Sequence, residues 1–177
     1  SIAVSTPKAE DELEDARDAV RRALEEVRRI SSELRPEMLA DLGLVSALTE
    51  LTRTFGRAAG VRVDTRFDHV LPRLEPETEL ALYRIATEAL TNAVRHSHAR
   101  RIVIRASTAQ SVGLRLSVAD DGRGIAREPR SAGFGLTSMQ ERAERIGASL
   151  TIVTAPRNGT EVVLAWDPSS LPTQVHV

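Results

Sequence analysis

The chain has 177 residues, 24 basic and 25 acidic, for a formal net charge of −1. That length suits one domain with a core of its own, and the near-neutral charge gives neither the basic footprint of a nucleic-acid binder nor a polybasic membrane anchor. The absence of cysteine excludes disulfides and thiolate chemistry, no apolar run approaches the ~18 residues of a membrane span, and 3% aromatics leave the core to aliphatic side chains.

The first segment, Ser5 to Leu34, reads as one long helix with Pro7 in its first turn. Acids crowd its start (Glu10, Asp11, Glu12, Glu14, Asp15) and arginines its end (Arg28, Arg29, Arg35), an order that complements the helix dipole. Leu13, Val20, Val27 and Leu34 lie seven apart, with Ala16, Ala23 and Ile30 between them. That is a seam for packing on another helix, either on its own domain or in a helical dimerisation hairpin. The small alanines favour a fuller bundle over a lone pair.

Arg35–Pro36 ends this helix. A second helix is expected from about Leu44 to Ala59, stopped by Gly60. Val61–Phe67 alternates as a strand. Pro76 opens a third helix to about His96, and Arg101–Ser107 and Val112–Ala119 are two further strands. A glycine-rich loop spans Asp120–Gly135, a helix covers Leu136–Ile146, and Ser149–Thr154 with Thr160–Trp166 closes as a hairpin. The order implies an α+β fold, a two-layer sandwich of helices over a mixed, mostly antiparallel sheet. The expected division is 1–36 as the second helix of a dimerisation hairpin, present only in part, 37–167 as the main domain and 168–177 as a frayed tail.

Four patterns carry chemistry. On the third helix Arg84, Glu88, Asn92 and His96 recur every four residues. They form one polar stripe opposite the apolar Leu82, Ile85, Ala86, Ala89, Leu90 and Ala93. A carboxylate and a carboxamide one turn apart can place oxygens around Mg²⁺, and Arg95 and His96 lie where they could meet phosphate; a solvated helix face would show the same stripe. Val118-Ala-Asp-Asp-Gly-Arg-Gly124 puts Asp120 at a strand end, followed by glycines that allow close backbone approach. Gly133-Phe-Gly-Leu136 precedes a helix, whose unpaired amides favour anions. Gly159-Thr160 opens the last strand. Each pattern alone is common, and no P-loop signature is present.

In this order and spacing they resemble the histidine-kinase branch of the ATPase superfamily shared with gyrase, MutL and the heat-shock chaperones (the GHKL superfamily, HATPase_c type). Glu88, Asn92 and His96 look like its N box. Asp120–Gly124 is similar to its DxGxG box, Gly133–Leu136 to its GxGL box and Gly159-Thr160 to its terminal GT. The likeness covers about three quarters of the chain, from Leu34 to Trp166. Ser32-Glu-Leu-Arg-Pro-Glu-Met-Leu-Ala-Asp-Leu-Gly-Leu44 resembles the LRPxxLxxLGL junction of kinases paired with NarL/LuxR-type regulators, whose dimerisation segment is of HisKA_3 type. Met139, Glu141, Arg142 and Gly147 sit as in the same subfamily, with Ala148 in place of its second glycine.

The resemblance implies a Bergerat-type ATP-binding fold and an ATP-dependent protein histidine kinase. Asn92 would hold Mg²⁺, and Glu88 would also neighbour the metal while positioning a water or the phosphoacceptor. Arg95 and His96 would contact phosphates. Asp120 would accept from the adenine amine with help from Thr160, Gly122 and Gly124 would let the chain fold over the base, and Gly133, Gly135 and Leu136 would hinge the lid and offer amides. It further implies a homodimer in the full-length protein, a NarL/LuxR-type response regulator as partner, no nucleic acid, and a place as the cytoplasmic portion of a sensor, membrane-anchored or not. None of His69, His96, His98 and His176 stands in the family's phosphoacceptor context, so this chain is expected to bind ATP without phosphorylating itself. The alternatives are an anti-sigma-factor-like serine kinase and a non-catalytic nucleotide-binding or dimerisation module.

Overall fold

A computed structural model describes residues 37–68, 70–109, 113–125, 134–156 and 158–170. The expected N-terminal helix with its heptad seam lies outside the described residues, as do Gly133, His69 and the end of the tail.

Helix α1 (Glu37–Ala59) contains a kink at Gly43, whose φ of 75° is not helical. The regular part therefore starts at Leu44 and stops before Gly60, where the sequence placed it. The Leu44 amide at this restart lies near the Glu79 carboxyl and partly offsets the raising effect of burial on it. Strand β1 (Arg62–Phe67) follows. Helix α2 (Pro76–His96) begins with proline in its first turn and acids Glu77 and Glu79 beside it, the favoured arrangement for a helix N-terminus.

Strands β2 (Arg101–Thr108) and β3 (Leu114–Asp120), helix α3 (Phe134–Arg145), and strands β4 (Ser149–Thr154) and β5 (Thr160–Trp166) complete the domain. Helix α3 starts two residues earlier than the sequence suggested. A 3₁₀ turn, Pro168–Ser170, follows β5, with the Asp167 carboxylate accepting from the Ser169 amide at 2.8 Å.

The five strands form one sheet in the order β1-β2-β3-β5-β4. Strand β1 runs parallel to β2 because α2 carries the chain back between them; every other pair is antiparallel. The helices cover one face. Leu48 and Phe55 of α1, Leu82, Ile85 and Leu90 of α2, and Met139 of α3 meet Ile102, Ile104, Leu116 and Leu164 of the sheet in one core. All six apolar residues of the α2 stripe are buried. The Trp166 indole N–H donates to the Ile146 carbonyl at 3.1 Å, pinning the end of β5 under α3.

Leu90 is fully buried in this shared core, so Leu90→Ala should cost about 2–5 kcal/mol through lost apolar burial and the void left behind. Urea unfolding followed by circular dichroism measures it. A loss below 1 kcal/mol would contradict the packing described.

Candidate functional site

The register of the sheet brings the ends of β3 and β5 together, with Asp120 opposite Thr160, next to the C-terminal end of α2. Backbone groups fasten that meeting point. The Asp121 carboxylate accepts the amides of Arg100 and Arg101 at 2.8 and 2.9 Å. The Ser97 carbonyl takes the Arg123 amide at 2.8 Å. Gly122 lies so close to Ser97 that a Cβ would fall on the Ser97 carbonyl, and Gly159, at φ 73°, passes against the Asp120 carbonyl in the same way. A side chain at either position would push the strand end away from its neighbour.

Between these elements lies a cleft of about 770 Å³, within the usual range for a small-molecule site. Of the residues singled out by sequence, Asn92, His96, Asp120, Gly124, Gly135, Leu136 and Thr160 line it. Glu88, Arg95 and Gly122 do not. Glu88 nevertheless abuts the site, because a Cβ on Gly135 would fall on Glu88 Oε1 and lie 3.5 Å from Asn92 Nδ2. The first turn of α3 thus rests on the polar stripe of α2. Ser97, Arg123, Ile125, Ile152 and Pro156 also line the cleft, although none was expected. Ile125 and Ile152 carry no polar signature, and their place is set by the hairpin between β4 and β5.

Asp120 accepts the Gly122 amide at 2.9 Å. Burial raises its carboxyl above the ordinary value of 3.8, against the lowering effect of donors from Gly122, Ser97 and Thr160. The Ser97 hydroxyl is also 2.5 Å from the Ala93 carbonyl, and its single proton serves one of these acceptors at a time. His96 moves the other way, below its ordinary 6.5, through burial first and then the positive charges of Arg95 and Arg123. Its imidazole is neutral at pH 7. Burial is the largest cause of both shifts, since it disfavours the charged form of either group.

Among the described residues no group of three histidines, cysteines or acids could hold a metal by itself. A cation here would rest on Asn92, its neighbour Glu88 and oxygens brought by a ligand, a donor set that suits Mg²⁺.

Residues 77–170 match the family described as histidine kinase-, DNA gyrase B- and HSP90-like ATPase. The signal transduction histidine-protein kinase/phosphatase DegS of Brevibacillus brevis is 33% identical over 155 residues, 87% of this chain and 40% of that protein. The oxygen sensor histidine kinase NreB of Staphylococcus carnosus is 32% identical over 145 residues, 81% of this chain and 42% of that protein. The chain thus spans less than half the length of either relative. Among solved structures, the blue-light activated histidine kinase of Erythrobacter litoralis superposes with a TM-score of 0.59 at 26% identity, covering 69% of this chain and 44% of that one.

The raised Asp120 carboxyl sets the sign of a pH effect. Such a group contributes stability below its unfolded value and loses it as pH rises through the folded value. At pH 7 its charge is a cost of the unliganded fold. Asp120→Asn, neutral and of equal size, should therefore melt no lower than the parent at pH 7, with the difference narrowing toward acid. A clear loss of stability at pH 7 would show that the surrounding donors outweigh burial.

Proposed function

The chain belongs to the histidine kinase-, DNA gyrase B- and HSP90-like ATPase family, and from that premise we propose that it is the ATP-binding catalytic part of a two-component sensor histidine kinase. The observation that carries this reading is the cleft itself. It gathers Asn92 and His96 from α2, Asp120 and Thr160 from adjoining strand ends, and Gly135 and Leu136 from the start of α3 around one space.

In this reading the adenine lies between Val118, Val162, Ile152 and Leu136, with its amine donating to Asp120. The phosphates extend toward Asn92, His96 and the first amides of α3, where unpaired N–H groups and the dipole favour anions. Mg²⁺, when bound, neutralises charge on the phosphate oxygens. Asn92 supplies its protein oxygen, Glu88 lies beside it, and neutral His96 adds a hydrogen bond without a charge of its own. Arg95 is half-buried and outside the lining, so its part would be to add positive charge near the phosphates rather than to bind them directly.

The phosphoacceptor would be a histidine of the parent protein. Its ring nitrogen attacks the γ-phosphorus, a P–N bond forms as the P–O bond to the leaving group breaks, and ADP departs with the bonding electrons. The attacking nitrogen is the unprotonated one, and the proton on the other ring nitrogen passes to a base, a role that Glu88 beside Asn92 could take. Such a reaction asks mainly for positioning and charge neutralisation. The phosphoryl group then moves to a response regulator, of NarL/LuxR type by the Leu34-Arg-Pro36 junction, within a homodimeric and cytoplasmic kinase core.

Calorimetric titration with ADP and ATP, with and without Mg²⁺, tests the site. Asp120→Asn should weaken binding of either nucleotide by at least tenfold, as expected when a buried acceptor is lost to its partner. Asn92→Ala should remove the Mg²⁺ dependence while leaving the melting temperature in place. Parent-like binding by both variants would refute the assignment. Incubation with γ-labelled ATP should leave no acid-labile phosphate on this chain.

A further inference from the structure

At the rim of the cleft one hydroxyl joins two of its walls. Thr154, the last residue of β4, accepts the Ile125 amide at 2.8 Å, and its oxygen lies 3.2 Å from the Gly159 carbonyl and 3.2 Å from Thr160 Oγ1. A hydroxyl has one proton and two lone pairs. The Gly159 carbonyl can only accept, so the Thr154 proton goes there. The Thr154 oxygen is then left to accept from the Ile125 amide and from the Thr160 hydroxyl. This is the one assignment that satisfies all three contacts.

It has a chemical consequence for the neighbouring residue. The Thr160 proton is directed at Thr154, away from the cleft that Thr160 lines. Beside it, opposite in the sheet register, stands Asp120, whose carboxyl the Thr160 amide helps to keep charged. Both groups thus offer oxygen lone pairs, and no proton, to whatever enters. Ile125, held by the same hydroxyl, forms an apolar side of the space.

We propose that Thr154, which does not itself line the cleft, is a specificity-determining positioning residue. By fixing the Thr160 hydroxyl as an acceptor and Ile125 as a wall, it selects a base bearing an exocyclic amine over one bearing a carbonyl at that place. The inference rests on the nucleotide reading of the cleft given above.

The test compares the parent, Thr154→Val and Thr154→Ser in calorimetric titrations with ADP and with inosine diphosphate, whose base carries a carbonyl where adenine has its amine. Hydrogen exchange of the Ile125 amide is followed alongside. Valine keeps the shape and β-branching but frees the Thr160 proton to turn inward. Thr154→Val should bind ADP about tenfold more weakly, the effect of one or two lost hydrogen bonds. Inosine diphosphate should change less, so that the preference for ADP falls, and the Ile125 amide should exchange faster. Thr154→Ser should restore all three. An unchanged ratio of the two affinities in Thr154→Val, or a serine variant no better than valine, overturns the role of Thr154 alone. A parent chain that binds no ADP overturns the nucleotide reading and this inference with it.

Discussion

The C-terminal end of α2 and the C-terminal end of β3 are joined by groups that belong to the backbone or reach it directly. Two consecutive amides, of Arg100 and Arg101, share one carboxylate oxygen of Asp121, and the Ser97 carbonyl takes the Arg123 amide. These amides, that of Arg101 foremost, hold the Asp121 carboxyl below its ordinary range, so it stays charged wherever the protein is folded near neutrality. Because of this joint, the polar stripe of α2 and the acid at the strand end face each other at a fixed separation. A helix and a strand that merely packed by apolar contact could slide by a residue and lose that facing.

The cleft built on the joint has the apolar Val118, Leu136, Ile152 and Val162 in its lining. Burial lifts Asp120 and depresses His96 together, so at pH 7 the unliganded protein bears an electrostatic cost at the charged Asp120, while His96 avoids one by staying neutral. Functional sites commonly carry such costs. A donor arriving at Asp120 would offset it, and this is where selectivity for an amine would arise.

Helix α3 is coupled to the same surface. Gly135 leaves room for Glu88 and Asn92 to approach its first turn. One to two turns further, burial lowers the Arg142 guanidinium below its ordinary value, with Arg84 of α2 adding to that effect and Glu88 opposing it. Arg142 also donates to the Ser138 carbonyl at 3.0 Å. The first turn of α3, whose amides could serve a ligand, thus rests directly on Glu88 and Asn92 of α2.

Most elements were legible in the sequence because each has a local cause. Proline at position 76, alternation over Ser149–Thr154 and Thr160–Trp166, and the four-residue recurrence on α2 act within a few residues, and the strands and helices formed there. The motif residues could be named for the same reason, although their roles are assigned by resemblance and by the shape of the cleft. Gly43 was legible in part. Its positive φ interrupts α1 just before Leu44, where the sequence already began the regular helix, whereas the approach of the Leu44 amide to Glu79 depends on another helix. The cleft partners show the same division. Ser97, Asp121, Ile125 and Thr154 look like ordinary loop or strand-end residues, and their importance comes from hydrogen bonds to groups up to 29 positions away. Local periodicity and turn chemistry determined what this chain would form. Only the tertiary arrangement, by bringing distant donors and acceptors within bonding distance, decided which unremarkable residues hold the site together.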